Sequence, residues 1–123
     1  MAGENRPQVC CWESLPTDSP MPLLDRRRVI GIQAMISHVR LRKGCFVPSH
    51  RHENEQFACI LSGALRFGFG HKGDGHYQEV IARQGDVVLL PSMALHSAEA
   101  IEDTIVLDVF SPPSEKTGID RKS

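Results

Sequence analysis

The segment His50-Arg51-His52-Glu53-Asn54-Glu55-Gln56, answered later by Pro91-Ser92-Met93-Ala94-Leu95-His96, decides how this chain is read. His50 and His52 stand two positions apart, and in a strand such residues point to the same face. Two imidazoles on one face, joined by His96 from another strand and by the amide of Gln56, can converge on a single divalent metal. Neutral imidazole is the commonest nitrogen ligand, at roughly 2.0–2.1 Å for zinc. Outward from the histidines, glycine and proline recur at set intervals. The first segment reads Gly44-x5-His50-x-His52-x3-Gln56-x6-Gly63, and the second reads Gly85-x5-Pro91-x-Met93-x2-His96.

These two motifs resemble those of the cupin superfamily. The family's first motif has Gly, His, His, Glu and Gly at the same intervals, and its second has Gly, Pro, Gly and His. Gln56 stands in the place of the usual ligating glutamate, and Met93 in the place of a glycine. The resemblance covers roughly Arg28 to Pro113. It implies an all-β fold, a single cupin domain built as a double-stranded β-helix of the jelly-roll type. It also implies one divalent ion, nickel, zinc, iron or manganese, held in the barrel mouth by His50, His52, Gln56 and His96. Cupin barrels present apolar sheet faces and edges that usually need covering, so a homodimer is expected.

Composition agrees with one small domain. The chain has 123 residues, enough by size scaling to bury roughly two-thirds of its unfolded surface. Its 14 basic and 15 acidic residues leave a net charge of −1, which announces neither a nucleic-acid nor a membrane partner. No apolar run approaches the roughly 20 residues that span a bilayer. The first residues, Met1 to Pro7, lack the apolar segment of a signal peptide. Cys10, Cys11, Cys45 and Cys59 form no Cys-x-x-Cys pair, so neither a disulfide framework nor a thiolate zinc site is indicated. A cytoplasmic protein with reduced thiols is expected.

Residues 1–27 hold four prolines and little periodicity, and read as an irregular N-terminal arm or edge strand anchored by Trp12 and Leu15. The triplet Arg26-Arg27-Arg28 reads as a solvated strand entrance. The barrel is expected over 28–113, with strands near 29–42, 56–62, 64–70, 77–82, 86–91, 95–100 and 104–111. Ser62-Gly63 and Lys72-Gly73-Asp74-Gly75 are hairpin turns. Residues 114–123 read as a polar, frayed C-terminal tail. His71 and His76 flank the glycine turn and are expected in solvent, while Cys45 and Cys59 read as buried small hydrophobes. In 104–111 both strand faces are largely apolar, so Asp108 is an ionisable group in a low-dielectric place. Burial of that kind raises a carboxyl pKa, which is how acid–base groups are made.

A narrower likeness concerns the substrate. Asp108-Val109-Phe110-Ser111-Pro112-Pro113, with Glu55-Gln56 after the histidines, resembles a subgroup of small cupins that convert 4,5-unsaturated monouronates into the linear keto form. The resemblance implies His50, His52, Gln56 and His96 as metal ligands, Asp108 in proton transfer and Phe110 beside the substrate. That subgroup places an arginine for the substrate carboxylate after Pro-Pro. Here the position is Ser114, and the replacement charge is sought in Arg66, Lys116 or the metal. Three imidazoles and an amide leave the full +2 on a metal, where a glutamate would leave +1. The expectation is Lewis-acid work on a small anionic substrate rather than oxygen chemistry. A non-catalytic sugar- or metabolite-binding module and a metal-dependent dioxygenase are the alternatives.

Overall fold

Alternation of side chains builds this protein. In 55–62, Gln56, Ala58 and Ile60 are buried while Glu55, Phe57 and Leu61 are exposed, the signature of a strand with one face on a core. The computed structural model describes residues 6–117. Ten strands follow in order: β1 Asp18–Met21, β2 Leu24–Ile30, β3 Met35–Leu41, β4 Phe46–His50, β5 Glu55–Ser62, β6 Ala64–Phe69, β7 Gln78–Arg83, β8 Val87–Leu90, β9 His96–Ala100 and β10 Thr104–Ser111. They form a six-stranded sheet in the order β1-β2-β3-β10-β5-β8 and a four-stranded sheet in the order β4-β9-β6-β7. Pairing is antiparallel throughout. The expected all-β jelly roll is therefore the architecture found.

The core lies between the sheets. Leu24, Val39, Leu41, Ile60 and Val106 from the larger sheet meet Val47, Leu65, Phe67, Ala98 and Ala100 from the smaller. Burying the valine, leucine, isoleucine and phenylalanine side chains among them stabilises by roughly 1.5–3 kcal/mol each. At the β5–β6 turn, Gly63 has φ +88°, and a Cβ there would collide with the Asp103 carbonyl and Thr104. Only glycine fits that turn, which explains its place in the first motif. Among the described residues no helix is long and apolar enough to cross a membrane.

Several sequence expectations change. The strand expected over 29–42 is two strands, β2 and β3, broken at a turn where the Gly31 N–H donates to the Ala34 carbonyl at 2.8 Å. The barrel starts before residue 28. β1 and the first half of β2 lie in the expected arm, and Leu24 and Arg26 are buried. Trp12 and Leu15 are half-buried, with the Trp12 ring 5.3 Å from that of His38. Strand β4, which is not among the expected strands, contains Pro48. The structure accommodates it on an edge strand, where the pairing register shifts between Val47 and His50. The segment after Pro113 folds back: the Glu115 carbonyl accepts from Arg28 at 2.8 Å and Thr117 is buried. Residues 1–5 of the arm and 118–123 of the tail lie outside the described residues.

Candidate metal centre

His50 ends β4, His96 opens β9, and the two are cross-strand partners with ring centroids 4.3 Å apart. His52 lies past the end of β4, so strand alternation with His50 does not orient it. The loop 51–54 turns it inward instead. The Met93 N–H donates to the His52 carbonyl at 2.8 Å, tying the two motifs together. Met93 has φ +67°, the left-handed region that favours glycine, so it holds a glycine's conformation in a glycine's place.

The ligand nitrogens of His50, His52 and His96 lie within 4.8 Å of one another. In each ring Nδ1 faces a backbone carbonyl: Pro48 at 2.8 Å, Asn54 at 3.0 Å and Ala94 at 2.8 Å. A carbonyl only accepts, so Nδ1 carries the proton and Nε2 presents a lone pair. Gln56 is oriented from its other end. Its Nε2 donates to Asp108 Oδ1 at 2.9 Å, which turns Oε1 towards His52 Nε2 at 3.1 Å. Two lone pairs then face each other across a buried gap. A cation placed between them resolves that conflict, and the donor set of three imidazoles and an amide oxygen fits a divalent ion. His50, Gln56 and His96 open with Asp108 and Phe110 onto a cavity between the two sheets.

Residues 37–110 match the family described as "Cupin domain". The chain belongs to the cupin family. Solved structures agree on the fold. KdgF from Halomonas sp. is 22% identical with a TM-score of 0.78, over 89% of this chain and 97% of that one. An RmlC-like cupin from Shewanella frigidimarina is 21% identical with a TM-score of 0.75, over 89% and 95%. Bacillus subtilis oxalate decarboxylase is 20% identical with a TM-score of 0.76, over 94% of this chain and 33% of that one. Compared with the curated proteins, the cupin has no match.

The electrostatics of this cupin's cavity follow from burial. Burial lowers the His96 pKa to about 4, against the raising effect of the Ala94 carbonyl. It lowers His50 as well. Both rings are therefore neutral, and able to ligate, around pH 7. Burial raises the Asp108 carboxyl to about 7, partly offset by the Gln56 amide. Phe110 is buried with its ring 5.8 Å from that of His52, edge to face.

Arg66 is not in this cavity. Leu65 and Phe67 take the inward face of β6, so Arg66 points outward and pairs with Glu99 at 3.0 Å. Lys116 is exposed. The Ser114 hydroxyl is engaged locally, donating to the Lys116 carbonyl at 2.7 Å. The positive charge at the cavity wall is Arg26 and Arg28, on the inner face of β2. The solvated strand entrance expected for the triplet Arg26-Arg27-Arg28 is therefore replaced, for Arg26 and Arg28, by a place on the cavity wall. Cys45 is buried and Cys59 half-buried, while His71 and His76 are exposed. Burial pushes the Cys45 thiol up and away from reactivity.

Proposed function

We propose that this cupin holds one divalent ion through His50, His52, Gln56 and His96. We further propose that it isomerises a small carboxylate-bearing carbohydrate, converting a 4,5-unsaturated monouronate to its linear keto form. The observation that carries this reading is the Gln56 amide. One end donates to a carboxyl with a pKa raised to about 7, and the other faces the histidine cluster. An acid–base group and a metal ligand are thereby held on one side chain.

A divalent ion bound there supplies Lewis-acid polarisation of a substrate oxygen. Asp108 does the proton work. As carboxylate it takes the proton from the anomeric hydroxyl. The C1–O5 bond breaks as C1 becomes a carbonyl, and O5 is left as the enolate of C5. Asp108 then returns the proton to C4, giving the C5 ketone with no net change in atoms. A carboxyl with a pKa near the working pH suits both transfers. Phe110 forms an apolar wall of the cavity and keeps water from competing for the proton. The test is the loss of the C4=C5 ultraviolet chromophore of an unsaturated monouronate, with metal-loaded protein. Metal bound but no turnover would move the non-catalytic sugar-binding reading ahead, which Ser114 at the subgroup's arginine position favours. The free cysteines suit the reducing cytoplasm expected for such an enzyme.

The Gln56→Glu variant tests the charge argument. A glutamate would lower the effective cation charge from +2 to +1 and set a second carboxylate beside Asp108. The variant should keep fold and metal and turn over an anionic substrate more slowly than wild type. Unchanged or faster turnover would overturn the argument.

We also propose that a second copy of the chain covers the outer face of β5 and β8. Phe57, Leu61, Val87 and Leu89 project there, 38, 48, 60 and 52% exposed, and β8 is a sheet edge. Light scattering should give twice the 13.7 kDa chain mass, falling to one chain mass in Leu89→Lys. A monomer at high wild-type concentration would refute the dimer.

A further inference from the structure

Strand register places a cation and an acid on one rung of the cavity floor. Arg28 on β2 pairs with Ser37 on β3, Ser37 pairs with Asp108 on β10, and Asp108 pairs with Ala58 on β5. Directly paired residues on adjacent strands share a face, so all four look the same way. Ser37 and Ala58, the two neighbours of Asp108, are small and buried. They leave room above the floor, while Arg28 and Asp108 stand two strands apart. At the roughly 4.8 Å spacing of strands, their Cα atoms are about 10 Å apart, a gap that one sugar ring bridges between two side chains.

Arg28 is poised rather than saturated. Its side chain is 20% exposed and lines the cavity. A guanidinium has five N–H donors in a planar fork. Among the described residues, one of them makes a hydrogen bond, to the Glu115 carbonyl at 2.8 Å. Asp18 lies 3.9 Å from Arg28, within ion-pair range but beyond hydrogen-bond range, while its oxygens accept from Arg26 at 3.0–3.2 Å. The Glu115 carbonyl and Asp18 therefore anchor the guanidinium at the cavity wall, and its fork has more donors than Glu115 uses.

We propose that Arg28 is the group by which this cupin recognises the carboxylate of its substrate, with Arg26 as a positioning residue acting through Asp18. This rests on the reading of the substrate as a carboxylate-bearing sugar. It commits the orientation: the acid end of the sugar faces β2 and the reacting carbons face Asp108. In a 4,5-unsaturated uronate the carboxyl carbon is bonded to C5. A carboxylate on Arg28 therefore sets C4 and C5 on the Asp108 side of the floor.

The test uses full-length, metal-loaded protein and does not need turnover. Calorimetry measures binding of saturated D-galacturonate against D-galactose, its analogue without the carboxylate. Wild type should prefer galacturonate. Arg28→Gln should lose that preference by roughly 10–100-fold, the scale of charge-assisted hydrogen bonds. Arg28→Lys should recover part of it, which a purely structural role would not predict, and circular dichroism verifies the fold of both variants. On an unsaturated monouronate, Arg28→Gln should raise KM more than it lowers kcat. A preference that survives in Arg28→Gln, or a wild type with no preference, overturns the proposal. If wild type turns over the uronate and Arg28→Gln matches it, Arg28 is wrongly assigned while the uronate reading stands. If wild type binds galacturonate through Arg28 but turns over no uronate, the recognition stands and the isomerase reading falls.

Discussion

Replacing Asp108 by Asn should leave the fold and the metal in place and reduce uronate turnover on the order of 10²–10⁴-fold, the usual scale of general acid–base catalysis. The geometry favours a clean experiment. An asparagine side-chain oxygen can still accept from Gln56 Nε2, now 2.9 Å from Oδ1, so the amide keeps its orientation. What is lost is the titratable proton. Stability should respond with a definite sign. The folded carboxyl keeps its proton up to about pH 7, while in the unfolded chain it titrates near 3.8. Between those values the folded state binds more protons, so this group's contribution is full below about pH 4 and is lost as pH rises through 7. Asp108→Asn removes that dependence. Compared with wild type in chelator, the variant should gain stability on going from pH 4 to pH 8. Denaturant melts at both pH values check this. Full activity in the variant would remove Asp108 from the chemistry. A variant that fails to fold would make it a structural hydrogen-bonding residue.

Replacing His96 by Ala should abolish high-affinity metal binding. His96 is 3% exposed, opens β9, and supplies one of three nitrogens within 4.8 Å of each other. Losing a mere outer partner of a ligand typically costs roughly 10–100-fold in affinity, and losing the ligand itself should cost more. A metal that binds only the folded state stabilises it by mass action, about 2.7 kcal/mol at a hundredfold excess over Kd. Wild type should therefore melt higher with metal than with chelator, and His96→Ala should melt alike in both. Protonated imidazole cannot ligate, so wild-type binding should weaken as pH falls towards about 4, where His96 titrates. Equal metal stoichiometry and affinity in His96→Ala would refute the assignment.

The residues legible in the sequence are those whose chemistry dictates their type. His50, His52, Gln56 and His96 stand at the set intervals of the two motifs, and the structure brings the three imidazoles together with the Gln56 amide beside His52. Asp108 was legible because a carboxylate inside an apolar strand demands a reason. Arg26 and Arg28 were not. Reading period two from Leu24 places Leu24, Arg26 and Arg28 on one face, but charged residues on an inner face run against the usual partition. Arg66 was chosen for its charge alone, although apolar Leu65 and Phe67 on either side already send it outward. Strand β4 was not legible either, and it contains Pro48, which forbids a ladder bond in a central strand but not on an edge.

The carbonyls that hold the three imidazoles come from the histidines' own neighbours, always two residues away: Pro48 for His50, Asn54 for His52 and Ala94 for His96. Each ring is thus aimed by its own short stretch of backbone, with no ion needed to orient it. Such a socket is cut before anything enters it. A divalent ion held there would meet rings already aimed, and exchanging one ion for another would not require the chain to refold around the newcomer.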